Sequence, residues 1–111
     1  MASRTTSVSV DQAGGATATI VAAAAGYAIQ VTGFHLSVSG AAVTVKSTFQ
    51  DETANTVRYT LVGNATAPAI HQYSGGPDAP AFTTAIGEGL ELVTGTAAAI
   101  AGFINYRYVI A

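Results

Sequence analysis

Apolar and polar residues alternate with a period of two through most of the 111-residue chain, and this period is typical of half-buried β-strands. The clearest segment is 43–50, in which Val45 and Phe49 share one face. After a short polar loop at 51–55, residues 57–61 repeat the same alternation. The two segments therefore predict a β-hairpin.

A change of phase in the segment 29–38 predicts a β-bulge. Ile29 and Val31 share a face, but Phe34 and Leu36 follow one residue out of step, with Gly33 between the two pairs. One extra residue in a strand produces such a shift. Further strands are predicted where the alternation recurs, at 7–10, 16–22, 81–86, 90–94 and 100–110.

The last of these segments, residues 100–110, is apolar on both faces. This pattern predicts a strand that is covered on both sides and lies in the centre of its sheet. With about eight short strands separated by glycine-containing turns, the chain is predicted to be all-β, an antiparallel β-sandwich of jelly-roll type. No linker or repeat divides residues 1–111, so we expect one domain. The polar residues 1–7 could form a flexible N-terminal arm, or simply a frayed terminus.

The segment Gly63–Ala79 is predicted to be a long irregular loop, and loops of this length are uncommon unless they are functional or disordered. It contains His71, Gln72 and Tyr73, an aromatic and hydrogen-bonding cluster that is the candidate interface with a neighbouring protein. The following Ser74–Pro77 is expected to form a tight turn that presents the cluster.

Charge is scarce, since 9% of the residues are charged against about 25% in ordinary soluble domains. Four Lys/Arg against six Asp/Glu cannot build a nucleic-acid-binding patch. The chain has no Cys, which excludes disulfides and thiolate metal sites. Its longest apolar run, 20–25, is too short for a membrane span. We therefore expect neither nucleic acid nor membrane as a partner.

Few residues could perform chemistry. His35 is expected on the exposed face of its strand, and Asp51 and Glu52 at the tip of a hairpin. Glu88 is assigned to a turn and Glu91 to a solvated strand position, so they do not form a catalytic carboxylate pair. Two histidines without a third ligand do not make a zinc site. We expect no metal, no cofactor and no enzymatic activity.

Three stretches, residues 25–40, 80–92 and 102–106, resemble the small jelly-roll capsid decoration, or cement, proteins of tailed bacteriophages. The resemblance implies a structural virion protein that is made in the host cytoplasm and binds the major capsid protein on the outer capsid surface, stabilising the head. It also implies a homo-oligomer. We expect a trimer, with a dimer as the alternative, because so small a domain leaves an apolar-rich sheet face to cover and a strand edge to protect. The family has no catalytic residues to transfer to this chain.

A carbohydrate-binding or adhesion module of a phage head fibre or tail is the alternative. Sugar sites combine an exposed aromatic ring with acid or amide partners, and the candidate set here is Tyr73 with His71, Gln72 and Asp78.

Overall fold

The computed structural model describes residues 5–40, 45–63, 69–95 and 98–110, and these residues form nine β-strands and no helix. No helix that could cross a membrane occurs among them. The strands are β1 (Thr6–Ala13), β2 (Thr17–Val21), β3 (Tyr27–Gly40), β4 (Val45–Asp51), β5 (Val57–Gly63), β6 (Ala69–Tyr73), β7 (Phe82–Thr83), β8 (Leu90–Val93) and β9 (Ala98–Ile110).

The strands build two antiparallel sheets, which confirms the predicted sandwich. The five-stranded sheet has the order β1-β9-β3-β6, with β7 also paired to β3, and the four-stranded sheet has the order β2-β8-β4-β5. The pairs β1·β9, β2·β8, β3·β6 and β4·β5 are those of one long hairpin folded over on itself. The pairs β3·β9 and β4·β8 then complete the two sheets. This is the jelly-roll arrangement of eight strands, with β7 as an addition.

The core lies between the sheets and is built from the alternating apolar positions. Strand β4 shows the origin of the pattern, because Ser47 and Phe49 are buried while Lys46 is exposed. Its partner in the predicted hairpin is β5, with Ser47 opposite Leu61. The largest fully buried side chains are Phe49, Ile29, Leu36, Leu61, Leu90, Leu92, Ile100 and Ile104.

The predicted bulge in β3 is confirmed. The register between β3 and β9 shifts between Val31 and Gly33, so that Val31 and Phe34 both face the core. A Cβ at Gly33 would lie 3.0 Å from the backbone oxygen of Tyr73. Glycine therefore allows β6 to approach β3 closely at this point.

Strand β9 occupies the predicted central position, between β1 and β3, but it is not covered on both faces. Ile104 is fully buried, whereas the neighbouring Phe103 is 42% exposed. The expectation of two covered faces is wrong because the sandwich has only two layers, so the outer side of the five-stranded sheet meets solvent.

Position 102 of β9 requires glycine. Its φ is 145°, and a Cβ there would lie 2.0 Å from the backbone oxygen of His35.

The predicted loop Gly63–Ala79 is wrong over part of its length, since it contains strand β6. This strand pairs with β3, with Phe34 opposite Tyr73 and Val38 opposite Ala69. Residues 64–68 lie outside the described residues. The tight turn also falls later than expected, because the N–H of Ala79 donates to the carbonyl of Gly76 at 3.2 Å.

The N-terminal arm expected at residues 1–7 overlaps the first strand. Thr6 and Ser7 belong to β1 and pair with Tyr106 and Asn105 of β9. Residues 1–4 lie outside the described residues.

Candidate interaction surface

His71 is half-buried and links the edge strands of the two sheets. Its Nδ1 lies 3.4 Å from the hydroxyl of Tyr59, a residue of β5. Its Nε2 lies 3.2 Å from the backbone nitrogen of Val62 and 3.1 Å from that residue's carbonyl oxygen. The tautomer of His71 decides whether Nε2 accepts from the N–H of Val62 or donates to its carbonyl, and whether Nδ1 donates to the Tyr59 hydroxyl or accepts from it. The ring therefore joins β6 to β5, where the two sheets meet along one side of the sandwich.

Tyr73 is half-buried and holds the segment that follows β6. Its ring stacks on Phe34 with centroids 6.2 Å apart, and its hydroxyl donates to the carbonyl of Ala79 at 2.5 Å. Gln72, which lies between His71 and Tyr73, points to the opposite side and is exposed. The three residues predicted as one cluster are therefore divided between two faces of β6.

The outer face of the five-stranded sheet is open to solvent. We define it by two rows of cross-strand neighbours and one residue near its end. The rows are Ser9, Phe103, His35 and Gln72, then Asp11, Ala101, Ser37 and Ile70, and the further residue is Arg107.

Aromatic and small residues dominate the centre of this outer face. His35 is exposed, as expected, and its ring stacks on Phe103 with centroids 6.3 Å apart and planes 16° apart. Ile70 is 58% exposed beside them. At the far end, Nε of Arg107 donates to Oε1 of Gln30 at 2.7 Å. The surface is suited to contact with another protein, because large rings lie among small side chains that leave them accessible.

The end of the sandwich at the β4–β5 hairpin holds most of the acidic groups, and here two expectations are wrong. Asp51 is not at a solvated tip but fully buried, where its carboxylate accepts hydrogen bonds from Arg58. The hydrogen bond with Asp51 is the main cause that raises the pKa of Arg58 above its usual value. Glu91 is only 8% exposed, and its Oε1 accepts a hydrogen bond from Gln50 at 2.7 Å.

The other two carboxylates at this end also serve the fold. Glu88 lies just after the turn at 86–87, near its predicted place, and its Oε1 accepts from the backbone N–H groups of Thr53 and Ala54 at 2.8 and 2.9 Å. Glu52 accepts a hydrogen bond from the hydroxyl of Thr19. Within the described part of the chain, no group of three or more His, Asp or Glu side chains is arranged to hold a metal ion.

Sequence reasoning did not find the outer face. The available signal was the position of Phe103, which is out of phase with the buried Ile104 and in phase with Ala101 and Asn105. The pattern places these residues together on one side of a strand. It does not reveal that this side has no second layer above it.

No protein-family model and no curated protein matches this chain. Among solved structures, it is similar to a chain of the Bacillus endospore appendages, described as disulfide-linked pili, with a TM-score of 0.55 and 17% identity over 97% of this chain and 88% of that chain. A chain of the cyanophage Pam1 capsid gives 0.49 and 15% over 96% and 84%. A chain of infectious bursal disease virus, Gx strain, gives 0.43 and 14% over 96% and 32%. At 17% identity, the likeness to the spore appendage shows a shared β-sandwich fold.

Proposed function

We propose that this chain is a structural virion protein, namely a bacteriophage capsid decoration or cement subunit that binds the major capsid protein on the outer capsid surface and stabilises the head. The observation that carries the proposal is the outer face, on which Phe103, His35 and Ile70 stand exposed among serines and alanines. The resemblance of residues 25–40, 80–92 and 102–106 to cement proteins supports the same role.

The side chains of the outer face suit contact with a protein lattice. Serine and alanine lose little side-chain entropy when they are ordered, so close contact costs less than it does for lysine or glutamate. One such contact is weak, but a capsid repeats it at many equivalent positions. Linked copies would then bind far more tightly than a single subunit.

The acidic end of the sandwich supports a structural role in a different way. Asp51, Glu88 and Glu91 all accept hydrogen bonds within the chain. Glu88 and Asp51 hold the hairpin against the segment around the turn at 86–87, and Glu91 holds β8 against β4. We accordingly propose that the protein is made in the host cytoplasm and resides on the outside of the virion.

A carbohydrate-binding or adhesion module of a head fibre or tail is the second candidate. Of the set predicted for it, Tyr73 and His71 are half-buried and occupied by internal contacts, whereas Gln72 and Asp78 are exposed. The exposed ring of Phe103, with the amide of Gln72 in the same row, is the observation that favours this candidate.

The disulfide-linked pili named in the structural comparison suggest assembly into filaments as well. This chain contains no Cys, so it cannot form such links. We therefore do not propose that mode of assembly for it.

Antibody labelling of virus particles tests the proposal. Antibodies raised against the purified protein are applied to intact particles produced from the genome that encodes the chain, and gold-conjugated secondary antibody is located by electron microscopy. Label spread over the head is the expected result. Label confined to fibres or the tail would favour the adhesion module, and unlabelled particles that also lack the protein by mass spectrometry would overturn both candidates.

A further inference from the structure

We propose that the outer face of the five-stranded sheet pairs with the same face of a second copy of this chain, giving a two-fold symmetric dimer. This inference concerns the free protein: the dimer covers the outer face, so it has to dissociate before the same face binds a capsid, and the tests of the two proposals are separate.

The first argument is the composition of the surface. Phe103 lies on the central strand β9, at the middle of the face, and its large exposed ring is flanked by the small side chains of Ser9 and Ala101. Interface energy concentrates in such central aromatic residues surrounded by contacts that exclude water. Two β-sheets can stack through their faces, with strands within about 30° of each other.

The second argument is the area. At about 3.3 Å per residue and about 4.8 Å between strands, the parts of β1, β9, β3 and β6 in this sheet span roughly 600 Å². Two copies would therefore bury about 1,200 Å², the lower end of the range for specific interfaces. The face is thus large enough for a dimer of modest affinity.

The third argument is charge. Asp11 and Arg107 are the charged residues of the outer face as defined above, and they lie on opposite sides of its centre. Asp11 is paired with Ala101, which is about 20 Å along β9 from Arg107. A two-fold axis that lies between the two faces and runs across β9 at the level of Ile104 exchanges these two ends. Each Asp11 is then brought toward Arg107 of the second copy, at two equivalent places, while the two Phe103 rings meet beside the axis.

This symmetry selects a dimer over the trimer favoured by the sequence. A contact in which the same patch is used on both copies is closed once two copies have joined. A trimer would need two different patches per subunit.

Charge reversal with rescue tests the pairing. Sedimentation equilibrium of the full chain at low salt is expected to show a dimer for the parent. Asp11→Arg and Arg107→Asp should each weaken dimerisation by about tenfold or more, because each change makes two attractive pairs repulsive. The double variant carrying both changes should return to the parental Kd. Val62→Ser alters an exposed residue of the four-stranded sheet and should leave dimerisation unchanged.

A second measurement does not depend on Arg107, whose removal also breaks the hydrogen bond to Gln30. Asn105→Cys introduces a single thiol beside the proposed axis, in a chain that has no other Cys. A short bismaleimide should link two copies of this variant, whereas Val62→Cys should remain unlinked.

Three results would overturn the inference. The first is a parent that stays monomeric at about 100 μM, a concentration at which a dimer with a Kd of about 1–10 μM would be well populated. The second is a parental trimer. The third is a folded double variant that dimerises no better than the single variants, together with Asn105→Cys that links no faster than Val62→Cys.

Discussion

Arg58 binds the carboxylate of Asp51 through two parallel hydrogen bonds, 2.9 Å from Nε to Oδ1 and 2.7 Å from Nη2 to Oδ2. The two ends of this pair differ in their surroundings. The Asp51 side chain has no exposed surface, whereas that of Arg58 is 29% exposed. Asp51 also accepts a hydrogen bond from the backbone N–H of Ala85 at 3.2 Å, so the pair ties the hairpin to the segment that follows β7.

Replacement of Arg58 and replacement of Asp51 should lower the free energy of unfolding by different amounts. Arg58→Ala leaves a buried carboxylate without its cation and should cost about 3–5 kcal/mol of unfolding free energy. Asp51→Asn should cost less, about 1.5–3 kcal/mol, because Arg58 can turn to water. Urea denaturation of both variants measures the difference, with the exposed Asp78→Asn as a near-neutral control. Equal losses, or a greater loss for Asp51→Asn, would contradict the argument.

The protein should lose stability in alkaline solution through Tyr108. Burial, and then the charge of Tyr106, raise the pKa of Tyr108 above its usual value of 10.0, and its hydroxyl donates to the carbonyl of Ala22 at 2.6 Å. Because the folded pKa is the higher one, the contribution of the neutral phenol is complete below pH of about 10 and is lost as the pH rises through the folded value.

Thermal unfolding measured between pH 8 and pH 11 tests this dependence. The fall in Tm above pH of about 10 should be shallower for Tyr108→Phe than for the parent, since phenylalanine does not ionise. Tyr27→Phe, a change at an exposed tyrosine, is the matched control and should keep the parental slope. If Tyr108→Phe also keeps it, another group governs the alkaline loss.

The hydroxyl of Tyr73 should stabilise the segment 74–80 and have no effect on the core. Tyr73→Phe keeps the stacking on Phe34 but removes the hydrogen bond to Ala79, which should cost about 0.5–1.5 kcal/mol. Limited proteolysis is expected to cleave this segment faster in the variant. Hydrogen exchange in β9 should be unchanged, and loss of its protection would show that the hydroxyl supports the whole sandwich.

Attachment to particles should depend weakly on salt. The chain carries four Lys/Arg and six Asp/Glu, and several of the acidic groups form internal hydrogen bonds, so little charge remains to be screened at a capsid contact. Particles washed at rising NaCl concentration should retain the protein between 50 mM and 500 mM. Steep release within this range would indicate an ionic contact with the capsid and contradict the prediction.

The strands were predictable where both partners carry the period of two. The β4–β5 hairpin and the bulge at Gly33 follow from residues close together in the sequence. Strand β6 was missed because it has only five residues, Ala69–Tyr73, with Pro68 just before it and Gly75 and Gly76 soon after. Its pairing with β3 is a tertiary effect, and short-range propensity does not include it.

Burial of charge was not predictable for a related reason. Glu91 lies on the solvent side of its strand, opposite Gln50 of β4, and is covered because Gln50 binds it there. The partner lies 41 positions away in the sequence, so no local pattern contains it. Asp51 is a different case, because its partner Arg58 lies only 7 positions away. Acidic residues at hairpin tips usually meet water, however, and this general tendency favoured an exposed position for Asp51.

The central position of β9 has a consequence for synthesis. Val8 in the first strand pairs with Ile104 in the last one, and β9 separates β1 from β3. A ribosome that has released the chain up to residue 97 has therefore completed eight of the nine described strands but not the strand that joins the five-stranded sheet. Until β9 emerges, β1 has no partner, and the apolar faces of β1 and β3 are incompletely covered. The nascent sandwich thus depends on β9, and truncation within this strand should send the chain to chaperones or proteases.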